Sequence, residues 1–287
     1  MPDFPIIDAH LHVWDPSNLP YAWLSENETL NGSFLLPDYD AAVGDTRVEQ
    51  MVFVECDIDE GSAVDEIRWI DELAQSDPRL AAYVAHAPVN LGDKVLPYLE
   101  ALEPFTRMRG IRRLIQAETE PGYCIRPPFI DGVRQLERFD WSFDVCILAW
   151  QMEDVIKLVD ACPKISFVLD HLGKPSIREG ALHPWRDQMF RLAERDNVVC
   201  KLSGVATEAD HARWTRDDLA PFIDTALEAF GPSRLMFAGD WPVATMAISA
   251  DRWIAEVDWS LTGLSTDEQR EIYGEVARRA YRFSSPG

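Results

Sequence analysis

Two histidines two residues apart, His10 and His12, end the first apolar run of the chain. Alternate side chains of a β-strand point to the same face, so we expect the two imidazoles to lie side by side. Neighbouring imidazoles can bind a divalent metal ion, or they can donate hydrogen bonds to one substrate. His10 and His12 are therefore the first candidates for catalysis and for metal binding.

A third histidine and an aspartate follow two later apolar runs. His171 comes after residues 165–169, and Asp240 comes after residues 235–238. A carboxylate within hydrogen-bond reach of a water molecule can take its proton, so Asp240 is a candidate general base. The alternative is that Asp240 caps a helix or a turn, but the following Trp-Pro pair is a poor helix start. We predict catalytic roles for both residues.

Charged residues also occur at the ends of apolar runs or inside them. Lys201 lies within residues 198–202, where a charge needs a partner or a task, and we predict a catalytic role for it. Arg112 and Arg113 are adjacent, so one should face the site and the other should form a structural ion pair. Glu55 is predicted to be a metal ligand or an ion-pair partner of Lys201 or Arg112, with the ion pair favoured.

Tryptophans and one amide occur in segments that follow the apolar runs. The flat face of an indole beside polar groups suits a cyclic, sugar-like ligand, although packing in the core is the commoner use of tryptophan. The predicted substrate contacts are Arg112, Trp23, Trp150, Gln151 and Trp241.

Eight short apolar runs must position these residues. They are residues 5–13, 51–56, 80–87, 110–115, 143–149, 165–169, 198–202 and 235–238. Such runs are typical of strands buried on both faces, as in a parallel sheet. Helical spacing occurs between most of them, at about residues 64–74, 93–103, 128–139, 155–162, 185–195, 217–230 and 250–260, and again at 266–282.

From the second run onward the starts lie about 30 residues apart, which is the size of a βα unit. Eight such units without a Gly/Ser-rich linker predict one α/β domain, a (β/α)8 TIM-type barrel over residues 1–287. An open doubly wound sheet is the main alternative, but no G-x-G-x-x-G motif follows any predicted strand. Residues 16–40, rich in Pro, Asn and Ser, are predicted to form a long loop.

The chain is acidic, with 27 lysines and arginines against 49 aspartates and glutamates and a net charge of −22. This balance argues against nucleic acid and anionic membranes as partners, because both call for a basic patch. No apolar stretch reaches the roughly 18 residues that a membrane span needs. The scattered cysteines and the absence of a signal-peptide pattern predict a cytoplasmic protein with reduced thiols. A single enzyme barrel is compatible with a monomer or a homodimer, and the sequence does not decide between them.

Three segments together resemble a known family. Residues 7–12 read I-D-A-H-L-H, residues 169–175 read L-D-H-L-G-K-P, and residues 239–242 read G-D-W-P. They resemble the amidohydrolase superfamily, specifically its amidohydrolase 2 branch, and residues 267–281 look like the last helix of that branch. Within the branch, H-L-H-V-W-D at 10–15 and C-K-L-S-G at 200–204 look most like the sugar-lactonase group, which is similar to hydrolases of fuconolactone and rhamnonolactone.

The resemblance implies a (β/α)8 barrel that hydrolyses a cyclic ester, with Asp240 as the general base. His10, His12 and His171 match the family's first-strand and sixth-strand histidines. Metal-dependent members usually carry a further histidine after the fifth strand, where this chain has Trp150 and Gln151. We therefore expect that one divalent ion, zinc, can bind to His10 and His12 without being required for turnover. Its further ligand would be Asp240, His171 or Glu55.

The expected substrate is an uncharged sugar lactone, an aldonolactone such as L-fuconolactone, which is opened to the aldonic acid. Tryptophans with neutral polar groups fit such a ligand, whereas a pyrone-dicarboxylate lactone would need several converging cations. Two further alternatives are a metal-dependent decarboxylase of the same branch, which needs a complete zinc site, and an inactive sugar-binding barrel. The sequence does not determine which lactone is used or which group protonates the leaving alkoxide.

Overall fold

A computed structural model describes residues 2–285 and shows a parallel barrel of eight strands in chain order. The strands are β1 (Ile6–Leu11), β2 (Val48–Val54), β3 (Leu80–His86), β4 (Met108–Arg112), β5 (Ser142–Val145), β6 (Phe167–Leu169), β7 (Val198–Leu202) and β8 (Leu235–Phe237). Leu11 pairs with Trp241 in a parallel bridge, so the segment after β8 lies beside β1. The predicted TIM-type barrel is confirmed.

The barrel forms because each strand buries both of its faces. In β2, Val52 and Val54 belong to an inner apolar cluster, whereas Met51 and Phe53 belong to the larger cluster shared with the helices. This alternation of side chains has a period of two residues, as a strand requires. The last helix adds Tyr281 to the inner cluster, so it covers one end of the barrel and leaves the other end open.

Ten α-helices occur in the described part of the chain. They are α1 (Leu36–Val43), α2 (Ala63–Ser76), α3 (Leu96–Leu102), α4 (Pro127–Arg134), α5 (Met152–Ala161), α6 (Trp185–Ala193), α7 (Arg216–Phe230), α8 (Ala250–Ser260), α9 (Thr266–Arg270) and α10 (Val276–Tyr281). A single π-helical stretch, Glu271–Glu275, joins α9 to α10. Within residues 2–285, no helix is both long enough and apolar enough to cross a membrane.

One element corrects the sequence prediction. The loop predicted at residues 16–40 contains a short 3-10 helix, Ala22–Glu26, and its last residues begin α1. Helix α1 forms because Tyr39 and Val43 bury their side chains against the barrel, and because Asp38 accepts a hydrogen bond (2.9 Å) from the backbone N–H of Leu35. A proline in the first turn is compatible with this helix start.

Candidate functional site

A cavity of about 250 Å³ opens at the carboxyl ends of the strands. Catalytic groups of parallel barrels converge at this end, because the loops after every strand meet there. The polar side chains of its wall are His12, Asp57, Arg112, Gln116, His171, Lys174 and Asp240, and its apolar side includes Trp14, Trp23, Leu30 and Met246.

Main-chain hydrogen bonds place Asp240 beside the two histidines of β1. The Asp240 N–H donates to the carbonyl oxygen of His10 (2.8 Å), and the His12 N–H donates to the carbonyl oxygen of Trp241 (2.9 Å). Oδ1 of Asp240 lies 3.8 Å from Nε2 of His10 and 3.6 Å from Nε2 of His12. The two Nε2 atoms are 3.1 Å apart. The predicted imidazole pair and the predicted carboxylate therefore meet around one point.

His171 reaches the same carboxylate from the opposite side of the barrel. Its Nε2 lies 3.8 Å from Oδ1 of Asp240, and its Nδ1 lies 2.8 Å from Oγ of Ser203. His171 begins a run of four residues with positive φ that ends at Lys174, which turns the imidazole toward the cavity. Gly204 makes room for it, because a Cβ there would lie 2.8 Å from Cβ of His171.

Burial and neighbouring charges set the protonation states. Burial lowers the pKa of His171 to about 4, and burial together with the Lys201 ammonium lowers the pKa of His10 well below its ordinary value. Burial by itself would raise the pKa of Asp240, but the surrounding histidines, His171 foremost, hold it far below its usual range. Asp240 is therefore an ionised acceptor at neutral pH, with neutral imidazoles of His10 and His171 beside it.

The tautomer of His12 follows from its hydrogen bonding. Nδ1 of His12 lies 2.8 Å from the carbonyl oxygen of Val54, which can only accept a hydrogen bond. Nδ1 must therefore carry a proton, which leaves Nε2 as the ring nitrogen that can offer a lone pair to a metal ion. Donation of the other ring N–H to a backbone carbonyl is the usual arrangement for a metal-binding histidine.

Three ligand atoms fit one divalent ion. The triangle formed by Nε2 of His10, Nε2 of His12 and Oδ1 of Asp240 has a circumradius of about 2.0 Å, which matches ordinary zinc–ligand distances. Nη1 of Arg112 lies 3.1 Å from the same Nε2 of His10, so an ion bound here would displace that contact. His10, Asp170 and His171 form a second candidate group. The ammonium of Lys201 lies 3.0 Å from Oδ1 of Asp170 and 3.1 Å from Nδ1 of His10, so a cation already occupies that position.

Two charged residues, Lys201 and Glu55, lie beneath the site and do not line the cavity. Lys201, predicted to be catalytic, has no exposed surface and does not line the cavity; it lies 2.7 Å from Oδ2 of Asp144. Glu55 is buried and accepts a hydrogen bond from Nε of Arg112 (2.6 Å). Of the two roles predicted for Glu55, the structure shows the ion pair.

The adjacent arginines divide as expected. Arg112 lines the cavity, whereas Arg113 pairs with Glu118 (2.6 Å). The positive charge of Arg112 is also compensated by a second carboxylate, because its guanidinium lies 3.3 Å from Oδ2 of Asp170.

The structure brings only part of the predicted substrate-binding set to the cavity. Arg112 and Trp23 line it, but Trp150, Gln151 and Trp241 do not. Trp241 is buried and packs against Tyr39 and Phe34. The side-chain amide of Gln151 donates to the carbonyl oxygen of Ile115 (2.8 Å), so it joins two loops instead of facing a ligand. Trp150 is 49% exposed and lies in a neighbouring cavity.

Sequence reasoning missed Lys174 as a site residue. It lies three residues after His171, directly before Pro175, and its side chain lines both the main cavity and the neighbouring one. The available signal was its position in the turn that follows β6. Asp57 was also missed; it follows β2 and lines the main cavity with a positive φ.

Comparison with known proteins identifies the family of this chain. The family model described as amidohydrolase matches residues 7–283. The chain is 33% identical over 295 residues to an L-fucono-1,5-lactonase of Burkholderia multivorans, with 98% of this chain and 97% of that protein covered. It is 24% identical over 337 residues to an L-rhamnono-gamma-lactonase of Scheffersomyces stipitis, covering 99% and 100%.

A solved structure shares the whole architecture. It is a crystal structure of an amidohydrolase from Burkholderia multivorans with bound zinc. It superposes with a TM-score of 0.86 at 30% identity, and the match covers 98% of this chain and 100% of that one.

Proposed function

We propose that this chain, which belongs to the amidohydrolase family, opens an aldonolactone such as L-fuconolactone to the aldonic acid. The relatives named L-fucono-1,5-lactonase and L-rhamnono-gamma-lactonase support a hydrolase that acts on sugar lactones. The observation that carries the proposal is the ionised carboxylate of Asp240 at the wall of the cavity, with the imidazoles of His10, His12 and His171 within 3.8 Å of it.

Asp240 acts as the general base in this proposal. Water is a weak nucleophile, and a carboxylate in hydrogen-bond reach takes its proton as the oxygen attacks the lactone carbonyl. The ring C–O bond then breaks, and the leaving alkoxide takes up the proton that Asp240 holds. The strongly lowered pKa of Asp240 keeps the base ionised before each turnover.

Negative charge develops on the carbonyl oxygen during the attack, and hydrogen-bond donors that are already in place must stabilise it. His171 and Arg112 line the cavity and supply N–H groups there. Ser203 fixes the imidazole of His171, and Glu55 fixes the guanidinium of Arg112. Because these donors are held by buried partners, little reorganisation accompanies the attack. Lys201 acts on this set from beneath, because Asp170 lies 3.0 Å from its ammonium group and 3.3 Å from the guanidinium of Arg112.

One divalent ion, zinc in the first instance, would bind His10, His12 and Asp240. When bound, it would supply Lewis-acid polarisation of the carbonyl and would favour ionisation of water. We propose that turnover does not require it. Gln151 stands where a further ligand would be expected after β5, and its amide is already hydrogen-bonded to Ile115.

The cavity favours an uncharged ring over a dicarboxylate. Its wall carries two tryptophans, Trp14 and Trp23, whose flat faces suit a sugar-like ring. A dicarboxylate would need several free cations, yet Arg112 is compensated by Glu55 and Asp170. The missing metal ligand after β5 also argues against a metal-dependent decarboxylase, because such an enzyme would need a complete zinc site.

A lactone panel with a pH indicator tests the proposal. The panel contains L-fuconolactone, L-rhamnonolactone, their D-enantiomers and pyrone-dicarboxylate lactone. We expect hydrolysis of one or more sugar lactones and none of the dicarboxylate. Hydrolysis of the dicarboxylate alone would refute the substrate assignment, and thermal stabilisation by a sugar lactone without turnover would support an inactive binding barrel.

A further inference from the structure

Three cationic side chains lie in or beneath the active cavity, and two of them are fully committed to acidic partners. Lys201 is buried between Asp144 (2.7 Å) and Asp170 (3.0 Å). Arg112 binds the carboxylate of Glu55 (2.6 Å) and lies 3.3 Å from Asp170. Neither has charge to spare for a ligand, because each faces two carboxylates.

Lys174 differs from both. Within residues 2–285, the acid nearest to its ammonium group is Glu208, with Oε1 at 3.9 Å, which is too long for a hydrogen bond. Its side chain is 19% exposed and lines the cavity that contains Asp240. All three N–H donors of this ammonium are therefore available to a molecule in the cavity.

The backbone holds Lys174 in this position. Lys174 has a φ of 48° and ends the run of four residues with positive φ that starts at His171. Its N–H donates to the carbonyl oxygen of His171 (2.8 Å), and its own carbonyl oxygen accepts from Ala149 (3.3 Å). The main chain from which the Lys174 side chain extends therefore keeps a fixed relation to His171.

The reaction creates an anion beside carboxylates that are already present. Water adds to the carbonyl carbon, the ring C–O bond breaks, the ring oxygen takes a proton, and the new carboxylic acid ionises by releasing a proton to solvent. The product carboxylate then shares the cavity with Asp240 and Asp57. Without a cation, like charges would repel it in a site that is partly closed to water.

We propose, on the premise that the reaction is lactone hydrolysis, that Lys174 binds the carboxylate of the sugar-acid product and the carbonyl oxygen from which it forms. Lys174 is thus the specificity-determining cation of the site, and Arg112 is a compensated donor. Burial alone would lower the pKa of Lys174, but the neighbouring acidic groups of Cys146, Glu208 and Asp240 raise it, so the amine remains charged.

Two ligands that differ only in charge test this. L-fuconate carries a carboxylate where L-fucitol carries a neutral CH2OH group, and both present the same remaining hydroxyl groups. We expect calorimetry to show that the wild-type protein binds L-fuconate at least about tenfold more tightly than L-fucitol, as a charge-assisted hydrogen bond allows. Equal affinities in the wild-type protein would overturn the proposal without any variant.

Variants of Lys174 and of a control lysine show which residue causes the preference for L-fuconate. Lys174→Gln should remove the preference for L-fuconate and leave the affinity for L-fucitol within about twofold, whereas Lys174→Arg should keep part of it. Lys157→Gln on α5 is the matched control, since it removes an exposed lysine paired with Asp154. A preference that survives in a folded Lys174→Gln protein would contradict the assignment.

Binding is measured without turnover, so the result is separable from the proposed function. A wild-type protein that hydrolyses no lactone but prefers L-fuconate through Lys174 would refute the reaction and keep the anion site. A protein that hydrolyses sugar lactones but shows no such preference would keep the reaction and refute the role of Lys174.

Discussion

The ammonium group of Lys201 on β7 lies 3.1 Å from Nδ1 of His10 on β1, across the interior of the barrel. Neither side chain has exposed surface. Asp144 and Asp170 compensate the ammonium, and Tyr281 from the last helix donates a hydrogen bond to Asp144. The floor of the site is thus a buried charge network around His10 that links β1, β5, β7, the segment after β6 and the C-terminal helix.

Lys201→Met should lower the free energy of unfolding by about 3–5 kcal/mol, because it leaves Asp144 buried without its cation and Asp170 with Arg112 alone. Urea unfolding measures this directly. Lys157→Met, at an exposed ion pair, should change stability by less than about 1 kcal/mol. A loss at Lys201 as small as that of the control would show that the network contributes little to folding.

Asp240→Asn should lower kcat by about 10²–10⁴-fold, because the amide cannot accept the proton of water. The fold should persist, since the backbone N–H of residue 240 still donates to His10. Asp57→Asn is the matched control. It neutralises another carboxylate of the same cavity, and within residues 2–285 Asp57 forms no ion pair with a histidine. Near-native turnover by Asp240→Asn would remove Asp240 as the base.

Gly204→Ala and Gly231→Ala separate backbone strain from displacement of a catalytic group. Both glycines have a φ of +64°, which L side chains rarely adopt, so both substitutions should cost about 1–3 kcal/mol of stability. Only the Cβ at residue 204 meets His171, at 2.8 Å, whereas nothing lies within 4 Å of a Cβ at residue 231. We expect kcat/KM to fall at least about tenfold in Gly204→Ala alone. Equal kinetics in the two variants would argue against a need for precise placement of His171.

Glu66→Gln should flatten the dependence of stability on pH. Burial raises the pKa of Glu66 to about 8, so the native state keeps this proton after the unfolded chain has lost it. Stability contributed by the protonated group is therefore full below about pH 4.5 and falls by up to about 1.4 kcal/mol per pH unit until about pH 8.

Denaturant unfolding at pH 5, 6.5 and 8 measures the effect of Glu66. Glutamine can still accept the hydrogen bond that the N–H of Cys56 donates to Oε1 (3.2 Å). Glu72→Gln, at an exposed position of the same helix, should keep the wild-type slope. If the slope of Glu66→Gln matches the wild type, another group carries the pH dependence.

Removal of metal should leave lactone hydrolysis within about twofold of its starting rate, because Asp240 is ionised by its surroundings and the N–H donors of His171 and Arg112 are already in place at the cavity. Dialysis against a chelator, followed by metal analysis and kinetics, measures this. Activity that is lost with the metal and returns with Zn²⁺ would show that the ion is required. His12→Ala should then reduce the zinc content of reconstituted protein.

Much of the fold can be predicted from local sequence, because a strand buried on both faces needs a short, continuous apolar run. The run predicted at 198–202 coincides with β7, and every other predicted run overlaps an observed strand. The polar residues at the ends of these runs should also lie close together, because parallel strands of a barrel end at one mouth. They are His10, His12, His171 and Asp240.

The direction of each side chain beyond a strand end was decided only by tertiary structure. Two turns with positive φ, at Asp240 and at residues 171–174, aim Asp240, His171 and Lys174 into the cavity. Gln151 follows β5 in the same way along the chain, yet hydrogen bonds to a neighbouring loop turn it away. Strand positions depend on residues next to one another in sequence, whereas the orientations of Asp240, His171 and Gln151 depend on partners more than 30 residues away, which no local pattern contains.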